Sequence, residues 1–244
     1  MGEAGKGSAN PWVQRKAGEP TNAQKMAEFG RELFRGYDQQ RMIGRFGLGS
    51  DDSFLYLDYI GDPYRVDRGN GRIDVHMESG EWASLEEKPY TALSIYDMLC
   101  HFQDQEAEPL LAGEFCPTKS LTSMVSTPSA PQGYGNLDAL SGHVEELAAV
   151  CEAIGGELQP RMARADITYL IPVFEWFNVI FQFWDGDEEF APKTMFLWDR
   201  NSLQFMHFET LYYVMQDVMG KLWSGFRAYP EDLDDDRGRV KGDL

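Results

Sequence analysis

Cysteine is scarce. Cys100, Cys116 and Cys151 are the only three, odd in number, far apart and without a C-x-x-C pair. That spacing excludes a disulfide framework, a zinc ribbon or an iron–sulfur cluster, and the chain reads as a reduced protein of the cytoplasm. Basic residues are also in short supply, 22 against 40 acidic ones, for a formal charge of −18. Such a surface repels phosphate backbones and anionic lipid headgroups over a Debye length of about 8 Å. Nucleic acid and membrane surfaces are therefore not expected partners, whereas a basic protein partner or a cation is compatible. Residues 1–18 lack the apolar run of a signal peptide, and no stretch of roughly 18 apolar residues occurs. Absent as well are a phosphate-binding glycine loop, a G-x-S-x-G elbow, an H-E-x-x-H pair and a Cys/His cluster. Gly44 to Gly49 is glycine-rich, but it follows a helical pattern rather than a strand, so a dinucleotide loop fails on context.

What the chain has is core material: 43% of its 244 residues are hydrophobic and 13% aromatic, enough to bury a core. Residues 1–20 are rich in Gly, Ala, Ser and Pro and read as a flexible tail, and the acidic run in 229–244 reads as another. Between them a single α+β domain is expected over 21–228. Thr21 with Gln24 forms a capping-box pattern, and Met26, Phe29, Leu33 and Tyr37 recur at helical spacing as the apolar stripe of a first helix. Phe54–Ile60, Tyr64–Val66 and Arg72–Met77 read as three short antiparallel strands. A helix follows Pro89 and ends near Gln103; a third, capped by Asn136, stops at Gly155-Gly156; a fourth runs from about Asn201 to Trp223. Ile167–Trp184 reads as a central strand, with Thr194–Trp198 as its neighbour. The sum is an antiparallel sheet backed by helices. The long connection Leu110–Gly135, with three prolines and three glycines, is a candidate binding or lid loop.

Four carboxylates, Asp185, Asp187, Glu188 and Glu189, crowd the loop after Trp184. Oxygen ligands at that density suit calcium or magnesium, yet the spacing is not that of an EF-hand loop. A solvated acidic turn, a site for a cation or basic partner, and a catalytic site all remain open readings. Trp198-Asp199 repeats the Trp184-Asp185 pattern. In antiparallel neighbours the two aspartates would lie at opposite edges, which disfavours a paired-carboxylate hydrolase. Trp184 and Asp199 are placed on a binding surface. His207 and Glu209 stand at the start of the last helix and could share a ligand only if that helix begins after His207. The candidate metal set is thus Asp185, Asp187, Glu188, His207 and Glu209, the implied cofactor being a divalent cation, with no catalytic residue assigned. His76, His101 and His143 read as isolated histidines.

The segments Phe183-Trp184-Asp185-Gly186-Asp187-Glu188-Glu189-Phe190-Ala191-Pro192, Phe196-Leu197-Trp198-Asp199 and Met206-His207-Phe208-Glu209-Thr210 resemble a family of bacterial and archaeal domains of unknown function numbered three-seven-eight-six, found mainly in anaerobes. The resemblance covers residues 165–223 and extends loosely from about 64. It implies an accessory or binding protein of anaerobic metabolism, linked to corrinoid-dependent methyl transfer, with the long loop and the acidic turn as recognition surface. The alternative is a divalent-metal-dependent enzyme or metal-handling protein built on the acidic turn and His207. Some relatives carry a cysteine-rich iron–sulfur segment; with no cysteine before Cys100, the resemblance implies no such cluster here.

Overall fold

A computed structural model describes residues 19–122 and 137–228. The two expected tails, the Asn136 cap and the second half of the long connection lie essentially outside the described residues. Among those described, the chain forms five α-helices and ten strands. In order these are α1 (Asn22–Gly36), α2 (Gln39–Phe46), β1 (Gly49–Ser50), β2 (Phe54–Tyr59), β3 (Asp62–Asp67), β4 (Ile73–His76), β5 (Trp82–Ser84) and α3 (Pro89–Cys100). They continue with β6 (Phe115–Pro117), α4 (Val144–Ala153), β7 (Glu157–Leu158), β8 (Ile167–Phe174), β9 (Phe177–Trp184), β10 (Lys193–Asp199) and α5 (Phe208–Ala228).

All ten strands join one antiparallel sheet in the order β5-β4-β3-β2-β8-β9-β10-β6, with β1 beside β2 and β7 beside β8. The fold is therefore α+β with helices against an antiparallel sheet. The two halves of the sheet meet at one register pair, Tyr59↔Phe174, supplemented by the Ile60 N–H donating to the Val173 carbonyl at 3.0 Å. Helices α1, α3, α5 and α4 contact one another in that order.

The segment expected as one strand, 167–184, is a hairpin: β8 and β9 pair from Ile167↔Phe183 to Phe174↔Phe177. The alternation of Val173, Phe177, Val179 and Phe181 runs through the turn at Glu175-Trp176, so periodicity alone could not reveal the reversal. Six of the eight residues of each strand are buried, which marks them as the centre of the sheet.

The first helix carries the expected capping box, Gln24 N–H to Thr21 Oγ1 at 3.0 Å and Thr21 N–H to Gln24 Oε1 at 2.7 Å. Its expected apolar stripe, however, faces outward: Met26 is 54% and Phe29 53% exposed, while Gly30 and Phe34 are buried. A Cβ on Gly30 would lie 3.0 Å from the Tyr96 ring, so the smallest residue, not the largest, marks the face that packs on α3. Five elements escaped the sequence reading. One is α2, capped by the Asp38 carboxylate on the N–H groups of Gln40 and Arg41; the others are the short strands β1, β5, β6 and β7. Of these, β6 sits inside the long connection and pairs Cys116 with Trp198.

Candidate functional site

Helix α3 buries Ala92, Ile95, Tyr96 and Leu99 and carries Asp97; His101 caps its C-terminal end, one turn later. Helix α5 begins at Phe208, directly after His207, which is the condition set for His207 and Glu209 to share a ligand. The partner of His207 is instead Asp97. Its Oδ2 accepts the backbone N–H of His207 at 2.7 Å and the Thr210 hydroxyl, while its Oδ1 lies 2.6 Å from His207 Nδ1. Asp97 thus fixes the first turn of α5 from another helix and orients the His207 imidazole. That hydrogen bond is the main reason the imidazole pKa is raised, against an opposing effect of burial.

His101 completes the group, its ring centroid 4.2 Å from that of His207. His101 Nε2 is 3.2 Å from the Leu203 carbonyl oxygen. The Gln105 side-chain amide nitrogen lies 3.1 Å from the same atom; the carbonyl calls for a proton on Nε2 and the amide N–H for a lone pair there. Nδ1 is buried and has no hydrogen-bond partner. Burial also lowers the pKa of this ring, which keeps it neutral. One ligand atom from each of Asp97, His101 and His207 falls within 4.8 Å of the others, the one such group of three among the described residues. The Asp97 side chain is 13% exposed and that of His207 63%, so the group is closed on the protein side and open on the other.

The acidic turn is built differently. Asp185 accepts the N–H groups of Gly142 and Gly186 at 3.0 and 2.8 Å. Asp187 Oδ1 accepts those of Glu189 and Phe190 at 2.8 and 2.7 Å. Asp187 satisfies the backbone of its own loop and Asp185 also that of the loop before α4, while Glu188, Glu189 and Glu209 are exposed. The turn joins β9 to β10, whose seven residues span about 20 Å before the chain proceeds to His207. The structure therefore joins His207 to Asp97 and His101 and leaves Asp185, Asp187 and Glu188 at the other end of β10. Trp184 donates its indole N–H to the Ala163 carbonyl at 3.2 Å, with the Lys193 ammonium 4.9 Å from its ring.

Asp199, expected on a binding surface, is 2% exposed. It accepts backbone N–H groups of Ala112, Gly113 and Asn201 at 2.7–2.9 Å and so holds the start of the long connection against the end of β10. As expected, Asp185 and Asp199 sit at opposite ends of the β9–β10 pair. The sequence reading missed Asp97 and His101. The signal available was their four-residue spacing within one helical pattern; what concealed it was that their partner is 106 residues downstream of His101.

No helix among the described residues is long and apolar enough to cross a membrane. No curated protein and no solved structure matches the chain. The model of one family, described as a domain of unknown function, DUF3786, matches residues 38–221, which include Asp97, His101 and His207. By that match over most of its length, the chain belongs to the DUF3786 family of domains of unknown function.

Proposed function

We propose that this protein binds a divalent transition-metal ion through Asp97, His101 and His207 and acts as a metal-handling protein or metal-dependent enzyme. The observation that carries the reading is that one ligand atom from each of Asp97, His101 and His207 lies within 4.8 Å of the others, with His101 Nδ1 buried and without a hydrogen-bond partner. A buried polar atom without a partner costs roughly 1–3 kcal/mol. Two imidazoles and one carboxylate favour zinc, iron, cobalt or nickel over calcium or magnesium, whose ligands are oxygens. Three protein ligands with an exposed His207 leave coordination positions facing solvent. Such openness belongs to a site that exchanges its ion or works on a bound molecule, unlike the closed four-ligand shells of structural zinc. The charge of −18 adds a long-range attraction for cations.

The test is titration of metal-free protein with Zn²⁺ and Co²⁺, followed by calorimetry and by the visible spectrum of cobalt. One equivalent is expected to bind to the native chain and none to His207→Ala or His101→Gln. At a free ion concentration of about 100 times Kd, the melting free energy should rise by about 2.7 kcal/mol. Retention of the ion by both histidine variants, or its loss on Asp187→Asn instead, would overturn the assignment.

A further inference from the structure

The same pair of helices bears a second polar seam, set apart from the first. Thr91 lies six residues before Asp97 on α3, about 9 Å along the helix axis, and Asp217 lies on α5. Asp217 Oδ2 accepts the Tyr59 hydroxyl at 2.8 Å and Oδ1 the Thr91 hydroxyl at 2.9 Å. These groups sit in an open cleft of about 1340 Å³ also lined by Tyr64, Tyr90 and Lys221. The cleft is large enough for a small-molecule ligand; Tyr59 and Tyr64 border it from the core, and Tyr90 presents an exposed ring.

Among the described residues the two buried carboxylates, Asp74 and Asp199, have their charge answered. Asp74 lies 2.9 Å from Arg65 and 3.1 Å from Arg72, and Asp199 receives three backbone N–H groups. Asp217 receives two neutral hydroxyls. Among the described residues no basic side chain pairs with it, because Lys221 is taken by Asp62 and Lys88 acts only through space. Burial raises the Asp217 pKa, the signature of a charge without a counter-charge. The complement such a site lacks is a cation.

We propose that this cleft binds an organic ammonium ion, with its charged head on the Asp217 carboxylate and its apolar part against the exposed ring of Tyr90. A bare metal ion fits less well, since among the described residues no group of three ligand side chains includes Asp217. The inference is independent of the metal site at Asp97, His101 and His207.

The test titrates the full chain with phenethylammonium, putrescine and agmatine while following amide chemical shifts. At least one is expected to bind saturably, with shifts centred on Tyr59, Thr91 and Asp217, and to bind at least about tenfold more weakly to Asp217→Asn, the loss of one charged hydrogen bond. The neutral isostere phenylethanol should not bind, and Glu106→Gln, an exposed acid elsewhere, should leave binding unchanged. Failure of all three ammonium ions to saturate overturns the proposal. So does equal weakening by Glu106→Gln, which would mean general attraction to an acidic surface. If Asp217→Asn does not fold, the shift map and the comparison of phenethylammonium with phenylethanol on the native chain decide.

Discussion

At the scale of single residues, the chain's few histidines and buried acids divide by what answers their charge. His101 and His207 touch, yet their environments push them apart: burial depresses the first, and the Asp97 hydrogen bond raises the second. Asp217 supplies a prediction of its own. Burial is the leading cause of its raised pKa, partly offset by Tyr59 from β2, Thr91 from α3 and Lys88 just before α3. A group whose folded pKa exceeds its unfolded value adds stability below the unfolded value, about 3.9 for aspartate, and loses that addition as pH rises through the folded value. The native chain should therefore gain stability relative to Asp217→Asn as pH falls from 7 toward 4, read by urea unfolding of both proteins. An unchanged gap would mean that Asp217 has an ordinary pKa. Of the candidate site, His207 was legible in the sequence because it precedes a strong helix pattern beside Glu209. Asp97 and His101 were not, since an aspartate and a histidine four apart on a helix have no local reason to be joined to a third residue far along the chain.

At the scale of elements, most helices and strands were readable and their partnerships were not. The period of two persists through the β8–β9 turn, which hid a hairpin. The stripe of large apolar residues on α1 pointed the wrong way, because Gly30 permits the close approach to Tyr96 that the larger side chains would block. Two elements can be tested directly. Asp97 holds the His207 N–H and the Thr210 hydroxyl at the head of α5, so Asp97→Ala should cost about 2 kcal/mol in metal-free protein through lost charge-assisted bonds. Chemical denaturation gives the value, and an effect below about 0.5 kcal/mol would remove Asp97 as the α3–α5 fastener. Gly156, just after α4, has no room for a methyl: a Cβ there would lie 2.5 Å from the Cys151 carbonyl oxygen and 2.8 Å from Ile171 Cδ1. Gly156→Ala should destabilise by about 1–3 kcal/mol through overpacking, with a matching fall in melting temperature.

At the scale of the molecule, the imbalance of 40 acidic against 22 basic residues makes the compact state repel itself. Raising ionic strength from about 0.01 M to about 0.15 M shortens the Debye length from about 30 Å to about 8 Å. The melting temperature should rise over that interval, whereas a fall would mean that the surface ion pairs outweigh the net repulsion. The family match begins at residue 38 and so leaves out α1, although α1 is bound into the structure: Arg31 and Arg35 donate to the carbonyls of Asn70 and Gly69 at 2.6 and 3.2 Å. The sheet itself is two leaves of five strands joined at Tyr59↔Phe174. Amide hydrogen exchange follows cooperative opening units, and a seam one residue pair wide gives the two leaves little backbone reason to open together. The amides of β8 and β9 should then exchange in one slow class and those of β3 and β4 in a faster one, with the Ile60 N–H, which crosses the seam to Val173, reporting how often the leaves part.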